Sequence, residues 1–199
     1  MSIMLPAAPG IRGAVPSLLD FGGVLTPPLG GAAQKLNRTG DRHQILVRLP
    51  PMRSEPKGRI YAARLRHAQR EGAIIRFPQD GLIIGNPGAP VVDGAGQAGM
   101  VLNLRGFTAG YVVREGQFFS IIHGGRRYLY AARADMAAGE DGKMALPILP
   151  MLRVSPSNGA VCEFAAPMIE GFLDGGQVDW ELLRQPFIQI PDFTITEAE

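Results

Sequence analysis

The sequence predicts a mainly β (α+β) fold, and three observations predict it. Twenty-six glycines and 17 prolines stand among 199 residues, nearly twice the usual share of about 12%; helical bundles and coiled coils do not tolerate breakers at that density. Disorder is disfavoured, because 46% of the residues are hydrophobic and the formal net charge is only +2. Short apolar or alternating runs recur between turn residues, at strand length rather than helix length. A chain of this size can bury one sufficient core without a staple. Its one cysteine, Cys162, excludes a disulfide within the chain and reads as a buried thiol in a strand.

Residues 1–34 read as an extended N-terminal arm or linker. Pro6, Pro9, Pro16, Pro27 and Pro28 interrupt every apolar patch there; Leu18-Leu19-Asp20-Phe21 can dock on a partner but builds no core. A single mainly β domain is expected over 35–199. Residues 43–49 alternate as a strand, stopped by Pro50-Pro51. The one helix is expected near 57–71, with Gly72 as its stop. Ile60, Ala63 and Ala68, with Leu65 or Tyr61, form its apolar stripe, and Arg59, Arg66 and Arg70 lie on the other side. A strand over 73–77 ends at Pro78. Further strands are expected over 82–84, 100–104, 118–123, 127–132, 144–148 and 160–164. Gly124-Gly125 joins two of them in the best hairpin signal of the sequence. Residues 180–183 read as a short helical turn and 187–190 as a closing strand.

Signatures of chemistry are scarce. His43, His67 and His123 stand singly, without the close His or Cys spacing of zinc sites. No G-x-S-x-G occurs, and Cys162 has no base beside it in sequence. Residues 94–99 match G-x-G-x-x-G, but a dinucleotide loop must open a helix, and this one leads into a strand pattern. The acidic residue expected about 20 positions on is also missing, Glu115 lying 16 beyond Gly99. No catalytic, metal-ligating or cofactor-binding residue is therefore assigned, and the chain is expected not to be an enzyme. Neither a basic-then-apolar leader nor a membrane-length apolar run is present, so a soluble, cytoplasmically made protein is expected.

Charge is distributed unevenly. Lys35–Arg76 holds 11 basic residues against three acidic ones, and Asp135–Glu199 holds three basic against 11 acidic. Such a chain can bind a polyanion at one end, stack head-to-tail with plus meeting minus, or simply solvate a helix face. A nucleic-acid-binding accessory protein using 35–76 is thus the alternative reading. No binding-module signature accompanies those arginines, and no aromatics interleave with them to stack bases.

Several short motifs follow one another in a recognisable order. Val112-Val113-Arg114-Glu115-Gly116-Gln117-Phe118-Phe119-Ser120-Ile121 precedes Arg127-Tyr128-Leu129-Tyr130. Gly142-Lys143-Met144-Ala145-Leu146-Pro147-Ile148-Leu149-Pro150-Met151-Leu152-Arg153 and Pro156-Ser157-Asn158-Gly159 follow. Upstream, Leu49-Pro50-Pro51-Met52 leads into the helix, and residues 88–99 lead into a strand. Over about residues 43–165 this layout resembles the distal tail and baseplate-ring proteins of long-tailed (siphovirus-like) bacteriophages. Gln117 stands where that pattern has Asp, a change that suits a structural role better than a metal-binding or catalytic one.

The resemblance implies a β-sandwich or barrel with one flanking helix, assembling as a homo-oligomeric, hexameric ring between tail tube and baseplate hub. It further implies tail-tube, hub and tape-measure proteins as partners, a place in the virion, and no membrane or specific nucleic-acid recognition. The residues expected at assembly contacts are Leu18, Leu19 and Phe21 of the arm, Arg59, Leu65 and Arg66 of the helix, and the Gly124-Gly125 turn.

Overall fold

The computed structural model describes residues 1–184 and 186–198. The first part of the chain contributes β1 (Ile3–Met4), β2 (Gly13–Leu19), β3 (Gly23–Leu25), β4 (Gln34–Leu36), β5 (Arg42–Arg48) and β6 (Met52–Arg53). A π-type turn over Ser54–Gly58 leads into α1 (Arg59–Glu71), which is followed by β7 (Ala73–Arg76) and β8 (Gly88–Val92). Next come β9 (Val101–Phe107), β10 (Val112–Val113), β11 (Phe118–His123), β12 (Arg126–Ala132), β13 (Met136–Ala137) and β14 (Met144–Leu149). The chain ends with β15 (Cys162–Glu163), β16 (Met168–Leu173), β17 (Glu181–Leu182), β18 (Phe187–Gln189) and β19 (Phe193–Glu197). The mainly β class is as expected, with α1 the one α-helix among the described residues.

Two six-stranded sheets carry the architecture. One runs β15-β11-β12-β14-β9-β8. A bridge between Val91 and Val161 brings its last strand back to its first, so the sheet nearly closes into a barrel. Side chains alternate along each strand, and the inward set fills the barrel: Leu102 and Leu104, Phe119 and Ile121, Leu146 and Ile148, with Phe119 stacked on Phe164. Cys162 is buried among them, and burial, then the Glu163 charge, pushes its thiol up to about 12. The β11–β12 hairpin turns at Gly124 and Gly125, both with positive φ (58° and 76°), which is the backbone a two-residue turn between twisted strands requires.

The second sheet runs β1-β7-β16-β19-β5-β2. α1 packs on it through Tyr61, Ala62, Leu65 and Ala68, against Ile45, Val47, Ile75 and Ile195. Leu129, pointing outward from β12 of the barrel, joins this second core. β12 is thus buried on both faces and holds the two layers together.

Several expectations need correction. Residues 1–19 are built into the second sheet instead of forming a free arm: β1 pairs with β7, β2 pairs with β5 over seven residues, and Leu5 is only 3% exposed. Pro16 is accommodated because β2 is an edge strand, where a missing N–H is tolerated. Residues 82–84 form no strand, and Ile83 is exposed. Over 180–183 the expected helical turn is replaced by β17, which pairs with β18. The apolar stripe of α1 is Tyr61–Leu65–Ala68 with Ala62, while Ile60 faces outward. The stripe is turned by the need to fit Tyr61 and Leu65, its larger members, over the sheet.

Candidate assembly surface

The sheet ends in an extension. After β2 the chain turns at Phe21, whose amide donates to Asp41 Oδ1 at 2.7 Å and whose ring lies 4.8 Å under the Arg42 guanidinium. The paired strands β3 and β4 follow, and the Lys35–Asp20 ion pair clasps the base of this hairpin. Its apolar residues have nothing to pack on: Val24, Leu25 and Leu36 are exposed, and Leu29 at the tip is 97% exposed. The hairpin therefore presents its apolar side chains to solvent.

The residues expected at assembly contacts scatter. Leu18 and Phe21 are exposed beside the hairpin base, with Leu19 half-buried between them. Arg59 is exposed and pairs with Glu55 at 2.7 Å; Arg66 is exposed and lies 5.2 Å over the Trp180 ring. Gly124 and Gly125 are exposed at a hairpin tip of the barrel. Leu65 is not a surface residue: at 1% exposure it belongs to the second core, because the helix face it was assigned to is the one laid on the sheet.

The opposed charge segments meet within the second sheet. β5 of the basic segment pairs with β19 of the acidic segment, and Arg48 meets Asp192 at 2.9 Å. Part of the opposition is neutralised within one sheet.

Where the two layers meet lies a buried polar junction that the sequence does not announce. Glu197, at the end of β19, accepts the amide of Leu129 from the barrel and the amide of His43 from β5, each at 2.7 Å. Arg153 Nη2 donates to the same carboxylate at 2.6 Å, and its guanidinium lies 5.3 and 5.9 Å over the rings of Tyr128 and Tyr130. Burial pushes the Glu197 carboxyl up, opposed by Arg153 and the two amides. Burial and then the Arg153 charge push the His43 imidazole down to about 4. The only signal in sequence was parity: Glu197 shares the face of Ile195 and Phe193, so alternation already aimed it inward.

A second ladder lies on the outside of the barrel. Arg127 Nε donates to Glu163 Oε2 at 3.1 Å, Ser120 Oγ donates to the same oxygen at 2.6 Å, and the Arg127 amide donates to Glu170 at 3.0 Å. Both networks tie strand to strand. Gln117 does comparable work, its Oε1 accepting the Arg114 amide at 3.1 Å and its Nε2 donating to Tyr111 Oη at 3.1 Å.

The glycine loop at 94–99 opens into β9, not into a helix, and Gln97 closes it by accepting the Asn103 amide at 2.7 Å. Among the described residues, no group of three or more His, Cys, Asp or Glu side chains is placed to hold a metal ion. Among them, too, no helix is long and apolar enough to cross a membrane. No protein-family model matches the chain, and no curated protein matches it.

Proposed function

We propose that this chain is a structural subunit that assembles with copies of itself, and that its place is the distal tail ring of a long-tailed bacteriophage. The observation that carries the reading is the exposed apolar hairpin β3–β4, fastened at its base and uncovered along its length. A two-stranded hairpin is marginal alone in water, and Leu29, Val24 and Leu25 gain by burial on another surface. The motifs that resemble distal tail proteins support the finer reading. They supply β10, β11, β12 and β14 and the junction residue Arg153, all of them structural uses, and Gln117, where the pattern has Asp, holds a turn.

In this role the ring joins the tail tube to the baseplate hub, with tube, hub and tape-measure proteins as partners and the virion as its location. It needs no cofactor and performs no catalysis. Sedimentation velocity of the purified chain over a wide concentration range, paired with electron microscopy, tests the reading. Discrete ring-sized particles are expected; a monomer at every concentration contradicts it. Tight duplex DNA binding that collapses with salt would instead favour the nucleic-acid alternative.

A further inference from the structure

Segment 6–12 connects β1 to β2, the two edge strands of the second sheet, and walls a cavity of about 710 Å³. Further wall comes from the end of β7 and from the loop that follows it, up to Ile84. Ile11, Ala14, Leu82, Ile84 and Met168 line the space and are only half-buried, so apolar surface stays accessible there. The volume is that of a small-ligand pocket, a class running from about 300 to 1,000 Å³.

The charge around this apolar lining is one-sided. Arg12, Arg64 and Arg76 line the same cavity and, among the described residues, Asp80 alone opposes them; all four are exposed. The arginines come from three separate places in the chain, segment 6–12, α1 and β7. Arg64 is tethered, its Nη1 donating to the Met4 carbonyl at 2.7 Å. The Arg12 amide donates to the Arg48 carbonyl at 2.8 Å, which fixes the backbone where β2 begins. A guanidinium carries five N–H donors, so the Met4 contact leaves Arg64 with donors for an incoming oxyanion. The outer side of α1 differs: there Arg66, His67, Arg70 and Glu71 surround a hollow, and basic charge stands without an apolar floor.

We infer that this cavity binds an amphiphilic anion, a small molecule with an apolar body and one carboxylate or phosphate head. The body lies against Ile11, Ala14, Leu82, Ile84 and Met168, and the head meets Arg12, Arg64 and Arg76. Guanidinium groups match such oxyanions in shape and charge. Exposed charges alone are weakened by water and salt, and burial of the apolar body supplies the remaining attraction. The excess of positive charge rejects a cationic amphiphile of the same length.

Isothermal titration calorimetry of the full chain with decanoate, decanol and decylammonium tests this. One decanoate per chain is expected, with decanol weaker by about tenfold or more and no binding of decylammonium. Absence of decanoate binding, or equal binding of decanol or decylammonium, overturns the inference. A chain carrying both Arg12→Glu and Arg76→Glu, at exposed positions, is expected to bind decanoate about tenfold or more weakly with an unchanged melting temperature. Arg70→Glu, on the outer side of α1, is expected to bind it as the intact chain does. Unaltered binding in the double variant, or an equal loss in Arg70→Glu, places the anion elsewhere and overturns the site. Vesicles of phosphatidylglycerol separate a free ligand from a membrane headgroup: cosedimentation with them in the absence of decanoate binding would likewise overturn it.

Discussion

In the barrel, Leu102, Leu104, Leu146 and Ile148 point inward and are wholly buried; in the hairpin, Val24, Leu25, Leu29 and Leu36 point into solvent. Both regions are short β structure rich in glycine and branched apolar residues. They differ in closure. Six strands can curve until the last meets the first, which gives each inward side chain a wall to face. Two strands have no second wall, so their apolar side chains remain available to another molecule. One region stabilises the chain; the other adds no core to it.

Variants can break that contrast at either end. The largest effect is expected at the junction between layers. Glu197→Ala leaves Arg153 and the amides of His43 and Leu129 without their shared acceptor. A loss of about 3–5 kcal/mol is expected by denaturant titration, the range for breaking a buried pair. A loss below 1 kcal/mol, of the size seen for about the median exposed pair, would mean that the junction is not what holds the layers.

His43 comes next. Its folded-state value is lowered from 6.5 to about 4, so between those values the unfolded chain binds the proton and the folded chain does not. Its contribution is present above about pH 6.5 and is lost as pH falls toward 4, at most about 3 kcal/mol in total. His43→Phe keeps a ring against Phe118, which His43 meets edge-on at 5.4 Å, and removes the titration. The stability difference between the two proteins should widen in favour of the variant as pH falls from 6.5 to 4. Comparing the two also cancels the titration of Glu197. A difference independent of pH would contradict the burial argument.

Gly125→Ala forces a side chain onto a φ of 76° in open space. A cost of about 1–2 kcal/mol is expected from backbone strain alone, read as a shift in the denaturation midpoint. At the other extreme stands Leu29→Asp. Because Leu29 touches nothing in its own chain, folding stability should move by no more than about 0.5 kcal/mol, while association is lost.

The strands with clean punctuation were legible from sequence: β5, β7, β11, β12 and β14 fall within a residue of where alternation and their Gly or Pro stops placed them, whereas β9 runs three residues past its expected end, through Gly106. What was not legible depended on partners distant in the chain. Residues 1–19 have too few apolar positions to make a core, yet they complete a sheet whose other strands come from 42–48, 73–76 and 168–197. Trp180–Leu183 has a helical composition but is recruited by pairing with 187–189. Of the surface residues, Phe21 and Leu18 could be chosen because apolar side chains between prolines have nowhere local to go. Leu65 was read both as part of the apolar stripe and as an assembly contact, because an apolar stripe shows that a face is covered but not whether its own sheet or another chain covers it. Nor could the charge segments reveal that a basic strand, β5, folds beside an acidic one, β19, because their pairing joins residues about 150 positions apart.

On the proposed reading, the hairpin serves assembly and not folding. Gly23 and Leu36 are cross-strand partners, so residues 23–36 can be replaced by a two-residue Asn-Gly turn without moving Gly22 or Asn37. The decisive measurement is the sedimentation mass of that variant beside the intact chain, at concentrations where the intact chain is oligomeric. A folded monomer is expected; a variant that assembles to the same mass as the intact chain would show that the hairpin is not the assembly element.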